Sequence, residues 1–164
     1  ALRPPWPSPL TFLCDVHLGR LARHLRMLGF DTRYDSDRAD RVLARLSDED
    51  DRFLLTRDLE LLKRRRVRLG AYVRAEAPKR QFAEVVERFG LGERATDPFS
   101  RCLDCNVPLE PAGAEVVADQ VPPHARRVND VFRQCPSCEP AYWEGSPVDG
   151  MRRRMQEGLN SPGA

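Results

Sequence analysis

Two aspartates stand at equivalent places in separate apolar runs. Asp15 follows Leu10, Phe12, Leu13 and Cys14, and Asp58 follows Phe53, Leu54, Leu55, Thr56 and Arg57. Runs of this length suit buried strands and are too short for helices. Each leads into residues at helix spacing, so each acid is delivered to the C-terminal end of a strand. Open parallel sheets bind their ligands in the crevice outside those ends. Asp40 and Asp37, at the start of a further helical segment, are candidates to complete a carboxylate cluster. Gathered carboxylates repel one another, and a hard divalent cation with oxygen preference relieves that repulsion. Mg²⁺ or Mn²⁺ held there would position and activate water for in-line attack on a phosphodiester. Arg20, Arg23, Arg57 and the block Lys63, Arg64, Arg65, Arg66 and Arg68 supply charge for a polyanionic backbone. The plainer reading stays open: an Asp after a strand is often a helix N-cap.

A second chemistry lies further on. Cys102 and Cys105 form one Cys-x-x-Cys pair and Cys135 and Cys138 another, with twenty-nine residues between them. Four soft thiolates on two knuckles are what a tetrahedral structural zinc site requires. Closed by four protein ligands, such a site holds shape and does not activate water. About fifty residues without a large core also need a staple of this kind. Cys14, inside an apolar strand, reads as a small buried residue, and the lone His124 as surface.

The elements that must position these groups follow from periodicity. Leu18, Leu21, Ala22, Leu25 and Leu28 share a helix face opposite Arg20, Arg23 and His24. Gly29 suits a C-cap, Phe30 to Asp35 alternates as a strand, and Val42, Leu43 and Leu46 belong to a second helix. Ser47 to Asp51 reads as an acidic loop. After Asp58 come a helix with Leu59, Leu61 and Leu62, a strand at Gly70 to Arg74, and a helix from Pro78 to Phe89. Strand and helix alternate four times, which predicts a three-layer α/β domain with a parallel central sheet. None of the fourteen prolines falls between Leu10 and Val73, in keeping with regular structure there. Beyond Asp97 the pattern changes to short β-like runs (Ala114 to Ala118, Val128 to Phe132) and turns. The expected organisation is a proline-rich linker at 1–9, an α/β domain at 10–96, a small zinc-bearing β domain at 97–148 and a basic tail at 149–164.

Length and composition bound the rest. With 164 residues and 41% apolar content, one domain plus a small attachment can be built. The 27 basic and 25 acidic residues nearly cancel, so net charge names no partner. No apolar run is long enough for a membrane span, and no secretory signal opens the chain. A cytoplasmic location is expected, where five cysteines argue poorly for disulfides. A glycine-rich phosphate loop and a Gly-x-Ser-x-Gly elbow are both missing. His17 stands where haloacid-dehalogenase-like phosphatases need a second Asp.

Residues 15–23 (Asp-Val-His-Leu-Gly-Arg-Leu-Ala-Arg), 25–31 (Leu-Arg-Met-Leu-Gly-Phe-Asp) and 54–58 (Leu-Leu-Thr-Arg-Asp) resemble the Mut-seven C-terminal RNase family. The second half agrees: Pro98-Phe99, Arg101-Cys102-Leu103, Cys105-Asn106, and Cys135 to Cys138 with Tyr142-Trp143 and Gly145-Ser146. The likeness covers about residues 10 to 155. It departs from the family pattern at Pro147, where a His is frequent, and at Pro140, where a basic residue is common.

The resemblance implies a PIN-like nuclease domain followed by a zinc ribbon, with metal-dependent endoribonuclease activity on RNA. It carries Asp15 and Asp58 onto the family's acidic positions, and Asp40, or Asp37 in its place, onto the helix-start acid. The Asp-Val-His-Leu-Gly form is similar to members with an N-terminal ubiquitin-like domain, so such a domain is expected ahead of residue 1 in a longer chain. PIN-like domains often pair, which makes a homodimer an expectation too. The rival expectation is a non-catalytic RNA-binding adaptor whose acids only cap helices, and a redox protein without stoichiometric zinc is a third.

Overall fold

The structure is a computed structural model that describes residues 6–35, 39–94, 97 and 100–160, with side chains as far as Arg153. By contacts the chain divides into two units, Ala1–Arg26 with Phe30–Leu91, and Met27–Gly29 with Gly92–Ala164.

In the first unit, β1 (Phe12–Cys14), β2 (Thr32–Tyr34), β3 (Phe53–Thr56) and β4 (Gly70–Tyr72) form a parallel sheet in the order β2-β1-β3-β4. The connections carry helices α1 (Gly19–Met27), α2 (Asp40–Glu49) and α3 (Leu59–Leu62), and α4 (Pro78–Phe89) follows β4. Alternation along the two central strands explains the layers. Leu13 and Leu54 point to one face and pack with Leu43 and Ala44 of α2 and Leu61 of α3. Phe12 and Phe53 point to the other, where their rings lie 5.3 and 4.9 Å from that of Phe89 on α4. Strands buried on both faces read as unbroken apolar runs, as β1 and β3 do. Pro78 opens α4, and Gly90 closes it with a φ of +62° that suits glycine.

Two sequence expectations shift here. Ser47, Asp48 and Glu49 are not loop but the last turn of α2. Ser47 is buried and its hydroxyl donates to the Arg52 carbonyl (2.7 Å), while Asp48 takes Arg66 and Arg68 at 3.3 and 2.7 Å. Tertiary partners thereby override weak helix propensity. His24 does not share the exposure of Arg20 and Arg23. It packs edge-on against Phe82 of α4 at 5.6 Å, and burial, then the charges of Arg23 and Arg20, lower its pKa, so it sits neutral.

The second unit holds β5 (Glu110–Ala112), β6 (Phe132–Gln134) and β7 (Ala141–Trp143) as an antiparallel sheet in the order β5-β6-β7. It also holds α5 (Pro123–Val128) and α6 (Pro147–Asn160). Its apolar clusters are small: Cys102, Leu103, Cys135 and Tyr142 in one, Val117, Val121, Ala125 and Phe132 in another. The Ala114 to Ala118 run is not a strand. It is a series of turns closed by Val116 N–H to the Gly113 carbonyl (3.0 Å), with only Val117 buried. Likewise Val128 ends α5, and the strand begins at Phe132.

Pro147 is the first residue of α6, directly after a cap. Ser146 Oγ accepts the Asp149 N–H at 3.1 Å, and the fully buried Asp149 accepts from Gly145 N (2.7 Å), Arg152 (2.7 Å) and Arg153 (2.9 Å). Burial pushes this carboxyl's pKa up, but the Gly145 N–H and the two guanidiniums outweigh it and hold it below the usual carboxylate range. A depressed folded-state pKa contributes stability in full above the unfolded value and loses it as pH falls through the folded value. Asp149→Ala should therefore cost about 1–3 kcal/mol at neutral pH. In melting curves the gap from the parent should stay constant above roughly pH 5 and narrow in acid.

Candidate active site

The strand order creates the crevice. The chain leaves β1 for α1, on the α4 face as the His24–Phe82 contact shows, and leaves β3 for α3 on the opposite face. Neighbouring parallel strands whose connections diverge in this way open a cleft at their C-terminal ends. Asp15 and Asp58 both come from that edge, as their places after apolar runs suggested.

Thr56 joins the two acids. The pairing of Cys14 with Leu55 continues one step, with Asp15 N–H on the Leu55 carbonyl at 3.2 Å, and so sets Asp15 beside Thr56. The Thr56 hydroxyl donates to Asp15 Oδ2 and accepts the Asp58 N–H at 2.9 Å. Asp15 is 4% exposed; its Oδ1 accepts the His17 N–H at 3.0 Å, and the His17 imidazole lies 3.8 Å away. Among the described residues no lysine or arginine pairs with it. Asp58 Oδ1 caps α3 by accepting from Glu60 N (2.9 Å) and Leu61 N (3.4 Å). Thr56→Val should leave the Asp58 N–H and Asp15 Oδ2 without this partner. The expected result is a loss of about 1–3 kcal/mol in denaturant titration, with activity down about 10–100-fold as the acids lose their orientation.

The other predicted residues are placed as follows. Asp40 is the first residue of α2, and Asp37 lies outside the described residues. Asp15, Asp40 and Asp58 do not converge as tightly as metal-binding groups do. Among the described residues only the four cysteines do so. Arg57 spends Nη1 on the carbonyls of Val73, Arg74 and Ala75 at 2.9, 2.7 and 2.9 Å. Arg20, Arg23, Arg64 and Arg65 are exposed, and Lys63 pairs with Glu60 at 2.8 Å. An open depression of about 720 Å³ beside Asp58 is lined by Arg57, Tyr72, Glu76 and Gln81 among others.

The cysteine pairs meet as their spacing predicted. Cys102 and Cys138 Sγ lie 3.3 Å apart, Cys105 and Cys135 3.3 Å, and Cys105 and Cys138 3.6 Å. All four sulfurs fall within 4.8 Å of one another. These spacings are far beyond the ~2.05 Å of a disulfide, and the cysteines are free. Tetrahedral thiolates at ~2.3 Å from zinc stand roughly 3.8 Å apart, so the cluster fits that ion. The knuckles match each other. Asn106 and Glu139, each just past a second cysteine, have φ of +67° and +72°, and their N–H groups return to the Cys102 and Cys135 carbonyls at 3.0 and 3.1 Å. Cys135 Sγ also accepts from the Ser137 and Cys138 N–H groups at 3.4 Å.

Two supporting residues, Thr56 and Tyr142, stood in the sequence motifs without a role assigned to them. The role of Thr56 depends on register. Tyr142 donates to Cys102 Sγ (3.5 Å) and accepts the Leu103 N–H (3.1 Å), fixing one knuckle. Its place seven residues past Cys135 was the available signal. Cys14 is fully buried, and burial, then the Asp15 charge, push its thiol pKa up, as an inert core residue requires. His124 is exposed on α5. No helix of the described residues is long and apolar enough to cross a membrane.

Against known proteins, the family model described as the Mut7-C RNAse domain matches residues 10–155. No curated protein and no solved structure matches the chain.

Proposed function

The chain belongs to the Mut7-C RNase domain family, and on that premise we propose that it is a metal-dependent endoribonuclease that hydrolyses RNA phosphodiester bonds. One observation carries the reading: a buried Asp15 carboxylate without a lysine or arginine partner among the described residues, tied to Asp58 through Thr56. Such a buried anion, with Asp58 held nearby through its backbone N–H, fits a hard cation. Mg²⁺ asks for only one or two protein carboxylates and completes its shell with water and substrate phosphate. When bound, Mg²⁺ or Mn²⁺ supplies a Lewis acid and a more acidic water.

Asp15 is the principal ligand in this reading. Asp58 and Asp40, or Asp37 in Asp40's place, are its partners, and one of these carboxylates orients the attacking water. Arg20, Arg23, Arg57, Lys63, Arg64 and Arg65 bind the RNA. The cysteine cluster holds zinc, and the ribbon around it assists binding. Exposed Arg126 and Arg127 on α5, with no carboxylate partner among the described residues, support that last role.

The adaptor reading has its own observation: both acids accept amide N–H groups of the turn that follows them. Serine caps a helix about as well as aspartate but is a poor ligand for Mg²⁺. Single-stranded RNA should be cleaved with Mn²⁺ present, lose that cleavage in chelator and regain it on adding Mn²⁺ but not Zn²⁺. Asp58→Ser should abolish the cleavage without lowering the melting temperature. Binding without cleavage selects the adaptor, whereas full cleavage by Asp58→Ser removes Asp58 from the ligand set.

A further inference from the structure

The depression beside Asp58 has a wall built to stay still. Arg57 Nη1 is anchored on three successive carbonyls, and its guanidinium carbon stands 5.9 Å from the Tyr72 ring centroid. The segment that carries those carbonyls is itself tied down, because the Glu84 carboxylate accepts the Arg74 N–H at 2.9 Å and the Ala75 N–H at 3.0 Å. Gln81, 4% exposed, donates Nε2 to the Ala75 and Glu76 carbonyls at 3.1 and 3.2 Å. That leaves its Oε1 as the acceptor. A planar cation held in advance beside an aromatic ring is a stacking platform.

Charge decides what the platform takes. Asp58, Glu60 and Glu76 line the same depression against the single arginine, Arg57. With Glu60 paired to Lys63, the carboxylates of Asp58 and Glu76 still outnumber the one guanidinium and disfavour a phosphate. They favour a flat, neutral ring whose N–H groups donate to carboxylate and amide oxygens. A volume of about 720 Å³ lies within the range of small-ligand sites.

We propose that this depression, walled by Arg57, Tyr72, Glu76 and Gln81, is a nucleobase subsite that receives one unpaired base of the RNA next to the cut phosphate. The subsite rests on the RNA-cleaving reading, since Asp58 joins it to the acids. A base reaches it only out of the helical stack, so unpaired RNA is the substrate and duplex RNA is refused.

An abasic walk tests this on the whole chain. A fluorescently labelled single-stranded RNA of about a dozen nucleotides is made with one abasic ribonucleotide at each position in turn. Affinity is read by anisotropy without added Mg²⁺ or Mn²⁺, and cleavage with Mn²⁺. Losing one stacked base should weaken binding about tenfold or more at one position. In Tyr72→Leu that position should lose its effect while the others keep theirs, and Tyr72→Phe should behave as the parent. A flat walk overturns the subsite, and so does a Tyr72→Leu loss equal for intact and abasic RNA. A sharp step in affinity without any cleavage keeps the subsite and discards the nuclease. Cleavage with a flat walk does the reverse, and no RNA binding at all counts against both.

Discussion

Asp15→Asn should lower RNA cleavage by at least about 10²–10³-fold, the scale on which active sites lose a group that meets developing charge. Helix content and zinc content should stay at parental levels. The expectation follows from what asparagine keeps. Its carbonyl oxygen can still accept the His17 N–H, held at 3.0 Å in the parent. Its amide then faces the Thr56 hydroxyl, which can turn and accept, since a hydroxyl has two lone pairs and only one is used by the Asp58 N–H. The structural cost is therefore small, about 1 kcal/mol. What disappears is the negative charge. No lysine or arginine stands against Asp15 among the described residues, so beside the His17 imidazole at 3.8 Å that charge is left to attract a cation from solution. Asp15→Ala is the poorer experiment, because it would strand both the Thr56 hydroxyl and the His17 N–H. Undiminished cleavage in Asp15→Asn, measured beside its melting curve, removes the catalytic assignment.

The asymmetry between the two halves of the chain has a physical origin in what a residue pattern can encode. β1 and β3 were legible because both faces are buried, which demands an unbroken apolar run, and each run ends in its acid. The cysteine cluster was legible because two-residue spacing within a knuckle is a local rule. Thr56 was not, since its hydroxyl matters only once Cys14 pairs with Leu55 and brings Asp15 alongside. Ser47 to Glu49 misled because helix propensity is weak against a buried hydroxyl and an Asp48 with two arginine partners. In the second unit, three-residue strands and the six residues of α5 are too short to establish a period. The Ala114 to Ala118 run shows the consequence: it has apolar residues but buries one side chain, Val117, from a turn.

Removing zinc should unfold the second unit while the first keeps its structure. The apolar clusters of the second unit hold only four or five buried residues each, too few to offset the entropy of ordering a unit of about seventy residues. Structural zinc contributes roughly 10–16 kcal/mol in sites of this class, larger than any other single term available there.

The thiols add a pH signature. Burial and the S–H···S contacts hold Cys138 above the ordinary thiol range, and burial foremost raises Cys105. At Cys135 burial also pushes up, but the Cys138 and Ser137 N–H groups outweigh it and bring it to about 7. Zinc must therefore displace protons from Cys105 and Cys138 at neutral pH, so its hold weakens as pH falls. Below about 7 Cys135 adds another proton to be displaced, and the dependence should steepen. The two tryptophans make the experiment clean, because Trp143 lies in β7 while Trp6 stacks on Phe53 and Phe89 of the first unit. In a chelator titration of Trp6→Phe, Trp143 emission should shift red as one zinc per chain is released. In Trp143→Phe, Trp6 emission should hold steady over the same range. Zn²⁺ but not Mg²⁺ or Mn²⁺ should restore the Trp143 signal, and the midpoint should fall to lower chelator concentrations from pH 8 to pH 6. A Trp143 signal that survives complete loss of zinc would show that the four thiols do not hold this unit together.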